Sequence, residues 1–179
     1  EPSMAHPFGT DEYGRDILSR IIYGSRVSLS IGIVAQVVAS LVGVTLGAVA
    51  GYYGGRIDSV ISRIMEIFQA FPDLIFAMAI MTFLGKGVLN LFIALGLLTW
   101  VRTARMIRGS VMQLKEKEYI EASRACGAST FWIITKGLVP NCLSTIIVLV
   151  TLGIPNAIMY EASLSFLGIG IQPPTPSWG

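Results

Sequence analysis

The chain has 179 residues, 53% of them hydrophobic and 13% charged, with a mean hydropathy of +0.68. Average soluble proteins carry about a quarter charged residues. Here the apolar residues fall in long uncharged blocks, which excludes an ordinary soluble domain and predicts an all-α polytopic transmembrane bundle, one domain over 1–179 set in a lipid bilayer.

A net charge of +2 without a basic stripe excludes a nucleic-acid partner. His6 is the only histidine, so no metal site is expected; Cys126 and Cys142 read as small buried residues, not a disulfide framework. The chain begins at Glu1 and stops at "PTPSWG" with no visible signal peptide, and reads as part of a longer protein.

In chain order, 9–26 comes first. Ile17, Leu18, Ile21 and Ile22 form one stripe and Arg15, Asp16, Ser19 and Arg20 another, predicting an interfacial helix that feeds the first span. Val27 to Gly51 has no charge and is long enough to cross a bilayer, which takes about 20 residues. Within it Gly43, Gly47 and Gly51 recur every fourth position. That stacks bare backbone on one face for close helix packing, the alternative being the general tolerance of membrane helices for glycine. The Gly54–Gly55 pair turns the chain into an amphipathic stretch with Ile57, Val60, Ile61, Ile64 and Ile67 on one side. Leu74 to Leu84 is short for a span and is expected to borrow turns from about Ile64, with a kink at Pro72. Asp73 is expensive in lipid and is expected to face the bundle interior or an aqueous gap.

After the turn "GKGVLN" comes a third span, Val88 to Val101. Arg102, Arg105 and Arg108 follow at i, i+3, i+6 and read as side chains reaching for headgroups. The polar loop 109–130 precedes a fourth span, Phe131 to Tyr160, interrupted by Pro140 and Pro155. Gly168, Gly170 and Pro173, Pro174 and Pro176 argue against a straight fifth span. The excess of Lys and Arg from Arg102 to Arg124 predicts that this loop is cytoplasmic, which puts Lys86 and both chain ends outside. Arg15, Arg20 and Arg26 oppose that assignment, and the larger basic loop is expected to dominate.

Within the loop, Glu118 to Ser129 reads as a short, thin helix ending at Gly127. Such a helix fits a groove on a partner, with Glu118 and Glu121 pairing basic groups at its rim; composition alone favours an ordinary solvated loop helix. No P-loop spacing is present, so ATP is not expected to bind this chain. Asp16, Asp73 and Glu161 form no recognisable acid/base pair, and Asp73 and Glu161 are expected to line a path or brace the bundle.

The loop resembles the shared motif of the permease subunits of binding-protein-dependent ABC importers: Glu-Ala-Ala, three residues, Gly, nine residues, Ile, one residue, Leu-Pro. This chain has Glu121-Ala122-Ser123, Gly127 and Val139-Pro140, with Ser123 for Ala, Gly137 for Ile and Val139 for Leu. "HPFGTDEYGRDILSRIIYGSRVSL" and "EASLSFLGIGIQPPTPSWG" are similar to flanks of the second permease of dipeptide, oligopeptide and nickel importers.

The resemblance implies a type I importer permease fold, with about four of six spans here. It implies that Glu118, Glu121, Ala122, Ser123, Gly127 and Pro140 belong to a cytoplasmic coupling element. The implied partners are a second permease, two ATP-binding subunits carrying ATP and Mg, and an extracytoplasmic solute-binding protein in a prokaryotic cell membrane. This chain itself would be non-catalytic and without cofactor. Peptide is expected as cargo over nickel, since only His6 offers a metal ligand. A secondary transporter or channel would need a charged relay deep in the spans, and a scaffold would not transport at all.

Overall fold

The computed structural model describes residues 2–4, 6–85, 87–172 and 174–178. Lys86 and Pro173, named above, lie outside them. The chain is helical with no β-strand among the described residues: α1 (Ile17–Tyr53), α2 (Gly55–Gln69), α3 (Asp73–Leu84), α4 (Val88–Leu114), α5 (Glu118–Ala125), α6 (Thr130–Trp132) and α7 (Leu143–Phe166), with a π segment Ile133–Leu138 and a 3-10 turn Pro140–Cys142 between the last two.

The expected separate helix at 9–26 divides at Asp16. Before it the chain forms a turn, in which the Asp11 carboxylate accepts from the backbone N–H groups of Tyr13 and Arg15, both at 2.9 Å. Asp16 then caps α1 by accepting from the Ser19 N–H at 2.8 Å. The Ser19 contacts, with a smaller share from His6, hold the Asp16 carboxyl below its ordinary value. From Ile17 onward the helix runs unbroken through the first span, because no residue before Gly54 stops it.

Among the described residues, three helical runs are long and apolar enough to cross a membrane: Ile17–Tyr53, Val88–Leu114 and Thr130–Phe166. The expected second span differs from a straight helix starting near Ile64. α2 and α3 meet at an 87° bend and would make a fourth crossing only as a broken pair. The reason is local: Pro72 has no N–H to continue α2 and biases Phe71 away from helical angles. Ile64 to Gln69 therefore belongs to the amphipathic α2.

α1 and α4 pack along their length, and the glycine stripe is the reason. A Cβ on Gly43 would lie 2.7 Å from the Trp100 carbonyl oxygen, and one on Gly51 would lie 2.7 Å from that of Arg108. At Gly47 it would strike the Ala104 carbonyl oxygen. Of the two readings of this repeat, the packing face is the one the geometry bears out. Ala39, Ala50, Trp100, Val101 and Ala104 fill one buried cluster along this seam with Ile61 and Met65 of α2. A second cluster joins Ile31, Ala35, Leu91, Leu95, Ala157 and Leu164 with Ala77 and Met81 of α3.

The most apolar stretch of Thr130–Phe166 is only 11% buried, against 44% for α1 and α4, so α7 presents a long oily face outward. α2 is held by more than oil. Asp58 accepts a bidentate pair of bonds from Arg108 of α4, one of them 2.6 Å from Nη2. Arg108 is thus a structural partner and not a free headgroup ligand. Asp58→Asn should leave that half-buried guanidinium with a weakened partner and cost about 1–3 kcal/mol; a thermal melt of the detergent-purified protein that is unchanged would count against it.

The end of α7 is closed by Gly168 at φ +80, where Ile169 N–H bonds the Leu164 carbonyl and Gly168 N–H that of Ser165. The chain then folds back instead of spanning again. Trp178 donates from its backbone N–H to Ser28 Oγ and from its indole to the Ile21 carbonyl, both at 3.0 Å, strapping the end of α7 to the start of α1.

Candidate coupling surface and polar cavity

The predicted short helix is α5, and it is exposed except for Ile120 and Ser123. Glu118, Glu121 and Ala122 face outward, Ser123 is half-buried, and Ile120 is fully buried. Glu118 and Glu121 lie in the first turn and Arg124 in the last, each complementing the helix dipole.

The helix ends in a Schellman motif. Gly127 takes φ +83, its N–H bonds the Arg124 carbonyl at 2.9 Å, and the Ala128 N–H reaches that of Ser123 at 3.0 Å. A Cβ on Gly127 would meet nothing within 4 Å. Glycine is required there by backbone angle, and the space beside it is open to another surface. Cys126 is exposed on the same end, correcting the expectation that both cysteines are buried; Cys142 is buried as expected.

α5 is seated by Ile120, which sequence reasoning missed. It enters a cluster with Ala48 of α1, Ile107 and Val111 of α4, and Ile133, Leu138 and Cys142 beyond α6. Its Cδ1 would lie 2.9 Å from a Cβ on Gly137, so the departure from the motif's usual Ile makes room for this anchor. Tyr119 Oη also donates to the Gly137 carbonyl at 3.4 Å, and Asn141 Nδ2 donates to it at 2.6 Å. Those bonds cap a carbonyl in the π segment just before Pro140 and tie α5 to it. Arg124 lies 5.4 Å from the ring centroid of Tyr52 in α1. Only Lys115–Lys117 separate α5 from α4, and Ser129 caps α6 by accepting from the Trp132 N–H. Glu118, Glu121, Ala122, Ser123 and Gly127 are therefore brought together on one element. Pro140 is not: it lies past the π segment, at the change of winding.

The second feature is a cavity of about 280 Å³ at the break between α2 and α3, lined by Gln36, Gln69, Asp73, Thr99, Arg102 and Asn156 among others. Asp73 accepts from Tyr160 Oη at 2.6 Å and so faces a gap, one of the two settings expected for it. Arg102 also differs from expectation: α4 continues to Leu114, and Arg102 lines this cavity part-way along the helix. The middles of the apolar helices are thus less free of charge than the sequence suggests. Glu161 does not line the cavity. It is fully buried, with Oε1 accepting from Ser165 Oγ at 2.8 Å and Oε2 unpartnered among the described residues. Ser165 Oγ in turn accepts from the Ile171 N–H at 3.0 Å, so Glu161 braces the fold-back after α7.

Residues 43–179 match the family described as the binding-protein-dependent transport system inner membrane component. The chain belongs to that family. It is 49% identical to the dipeptide transport system permease protein DppC of Bacillus subtilis (strain 168), across 99% of this chain and 56% of that protein. It is 44% identical to the oligopeptide transport system permease protein OppC of the same strain, over 99% of this chain and 58% of the relative. The glutathione transport system permease protein GsiD of Pectobacterium atrosepticum is 42% identical over 99% of this chain and 59% of its own length. The chain thus spans somewhat more than half of the curated relatives it matches. A chain from inward-facing crystals of the MetNI methionine ABC transporter superposes with a TM-score of 0.76, at 22% identity, covering 90% of this chain and 79% of that one. The helical permease architecture expected from the sequence is the fold observed.

Proposed function

We propose that this chain is the core of a permease subunit of an ATP-driven importer of dipeptides and oligopeptides, crossing a prokaryotic cell membrane several times. One observation carries the reading: in a chain related over its length to dipeptide and oligopeptide permeases, α5 offers an exposed face while Ile120 fastens it to the joint of α4, α1 and the α7 run. The loop 109–130 is then the cytoplasmic coupling element, in which α5 seats in a groove of an ATP-binding subunit. ATP and Mg sit on two such subunits, a homologous second permease completes the path, and a solute-binding protein delivers cargo from outside. This chain performs no catalysis. When the ATPases close, the groove moves, and the three-residue link to α4 and the buried Ile120 pass that displacement to the spans.

The test uses the complete importer. Gly127→Asp places an acidic side chain in the open space beside α5 and forces a strained backbone angle, and Glu121→Lys reverses charge on the exposed face. Each should lower ATP-driven peptide uptake by about tenfold or more with membrane insertion intact. Normal uptake by both variants would overturn the coupling assignment.

A further inference from the structure

We propose that the cavity at the α2–α3 break is a peptide subsite that reads the ends of a zwitterionic peptide, with Arg102 taking the C-terminal carboxylate and Asp73 the N-terminal ammonium. The inference rests on the peptide-importer reading and names what one part of that path recognises.

Depth comes first. α3 ends at Leu84 and α4 begins at Val88, with Asn90 Nδ2 donating to the Leu84 and Gly85 carbonyls, so both can be measured from the same end. At about 1.5 Å per residue, Asp73 lies about 17 Å from the turn end of α3 and Arg102 about 21 Å from that of α4. The hydrocarbon layer is about 30 Å thick. Asp73 opens α3 at the break and Arg102 lies part-way along α4, both exposed on this chain; at that distance from the turn end an ionisable side chain is costly unless it faces protein or an aqueous path, and marks a site by default.

Partnering comes next. Arg108 is held by Asp58, and Arg63 by Glu66. Arg102, exposed on α4, makes no hydrogen bond or ion pair among the described residues where it lines this partly open cleft. Asp73 is aimed by Tyr160 through one oxygen, and its other oxygen has no partner among the described residues. The remaining polar lining is neutral: the amides of Gln36, Gln69 and Asn156 and the hydroxyls of Thr99 and Thr103. Such groups satisfy peptide N–H and C=O without selecting side chains. A guanidinium on one wall and a carboxylate on another orient a ligand carrying both signs, and about 280 Å³ holds little more than a short peptide or one end of a longer one.

The complete importer in proteoliposomes provides the test, with the binding protein loaded with a dipeptide either as the free acid or as its C-terminal amide. Because the binding protein is unchanged, the ratio of the two initial uptake rates isolates the permease. R102Q should lower free-acid uptake by about tenfold and leave amide uptake within about twofold, the amide serving as the check on assembly. If R102Q does not assemble, Asp73→Asn decides by the same logic at the other end: it keeps an acceptor for Tyr160 and should selectively slow the free-amine dipeptide against its N-acetylated form. An unchanged ratio in an assembled variant overturns the inference alone. A wild-type importer that moves neither peptide overturns the peptide reading and this inference with it.

Discussion

Gly47→Leu should prevent the α1–α4 seam from closing. Even a methyl group at this position strikes the Ala104 carbonyl oxygen, which is backbone and cannot swing aside. The flanking glycines are equally confined, Gly43 by the Trp100 carbonyl and Thr103, Gly51 by that of Arg108 and Val111. The helices must part by more than a methyl's width, and the contacts of Ala39, Ala50, Val101 and Ala104 go with them. Overpacking a well-filled core costs about 1–3 kcal/mol, and an isobutyl group against backbone belongs at or above the top of that range. The expected result is loss of monodisperse protein on size exclusion in mild detergent, with Gly47→Ala intermediate. A Gly47→Leu protein that elutes and melts like the wild type would show that the seam is not what holds these spans together.

Ile120→Ala is expected to free α5 without unfolding the bundle. Ile120 is the only fully buried side chain of that helix, and truncating a buried Ile to Ala costs about 2–5 kcal/mol. What remains on α5 is the long 3.4 Å contact from Tyr119 and the stacking of Arg124 near Tyr52. Neither is worth more than about 1 kcal/mol at a partly exposed site. Limited proteolysis at Lys115 and Lys117 should therefore accelerate by about tenfold or more, while Ile120→Val, which costs about 0.5–1.5 kcal/mol, should change it little. Equal protection in Ile120→Ala and wild type would place the anchor elsewhere.

These two residues also mark what a sequence gives away. The glycine stripe was legible because a four-residue period of bare backbone has few other uses inside a span. α5 was legible as an element from its small residues and its terminal Gly127, although its seat was not. Ile120 is one apolar letter among polar ones, and only the placement of Gly137, seventeen positions on, shows what it fits. The α2–α3 bend was half visible: Pro72 announced a kink, but a run of apolar letters says nothing about direction, so Ile64 to Gln69 read as part of a span. Arg102 was misplaced because the triplet spacing describes a surface-reaching face and a cavity-facing one equally well. The π segment had no signal in its own residues; Pro140, which follows it, cannot donate to the Lys136 carbonyl and so breaks the regular ladder there. For Glu161 the sequence left a brace or a lining role open, and it is the bond from Ser165 and its place away from the cavity that favour the brace.

The change of winding between Ile133 and Cys142 has a mechanical meaning. An α-helix turns through about 100° per residue, and a looser π stretch followed by a tighter 3-10 stretch shifts the phase of everything beyond. Thr130–Phe166 is thus a shaft with a gear cut into its lower end. Under the proposed coupling, force entering through α5 meets this change of phase before it reaches α7.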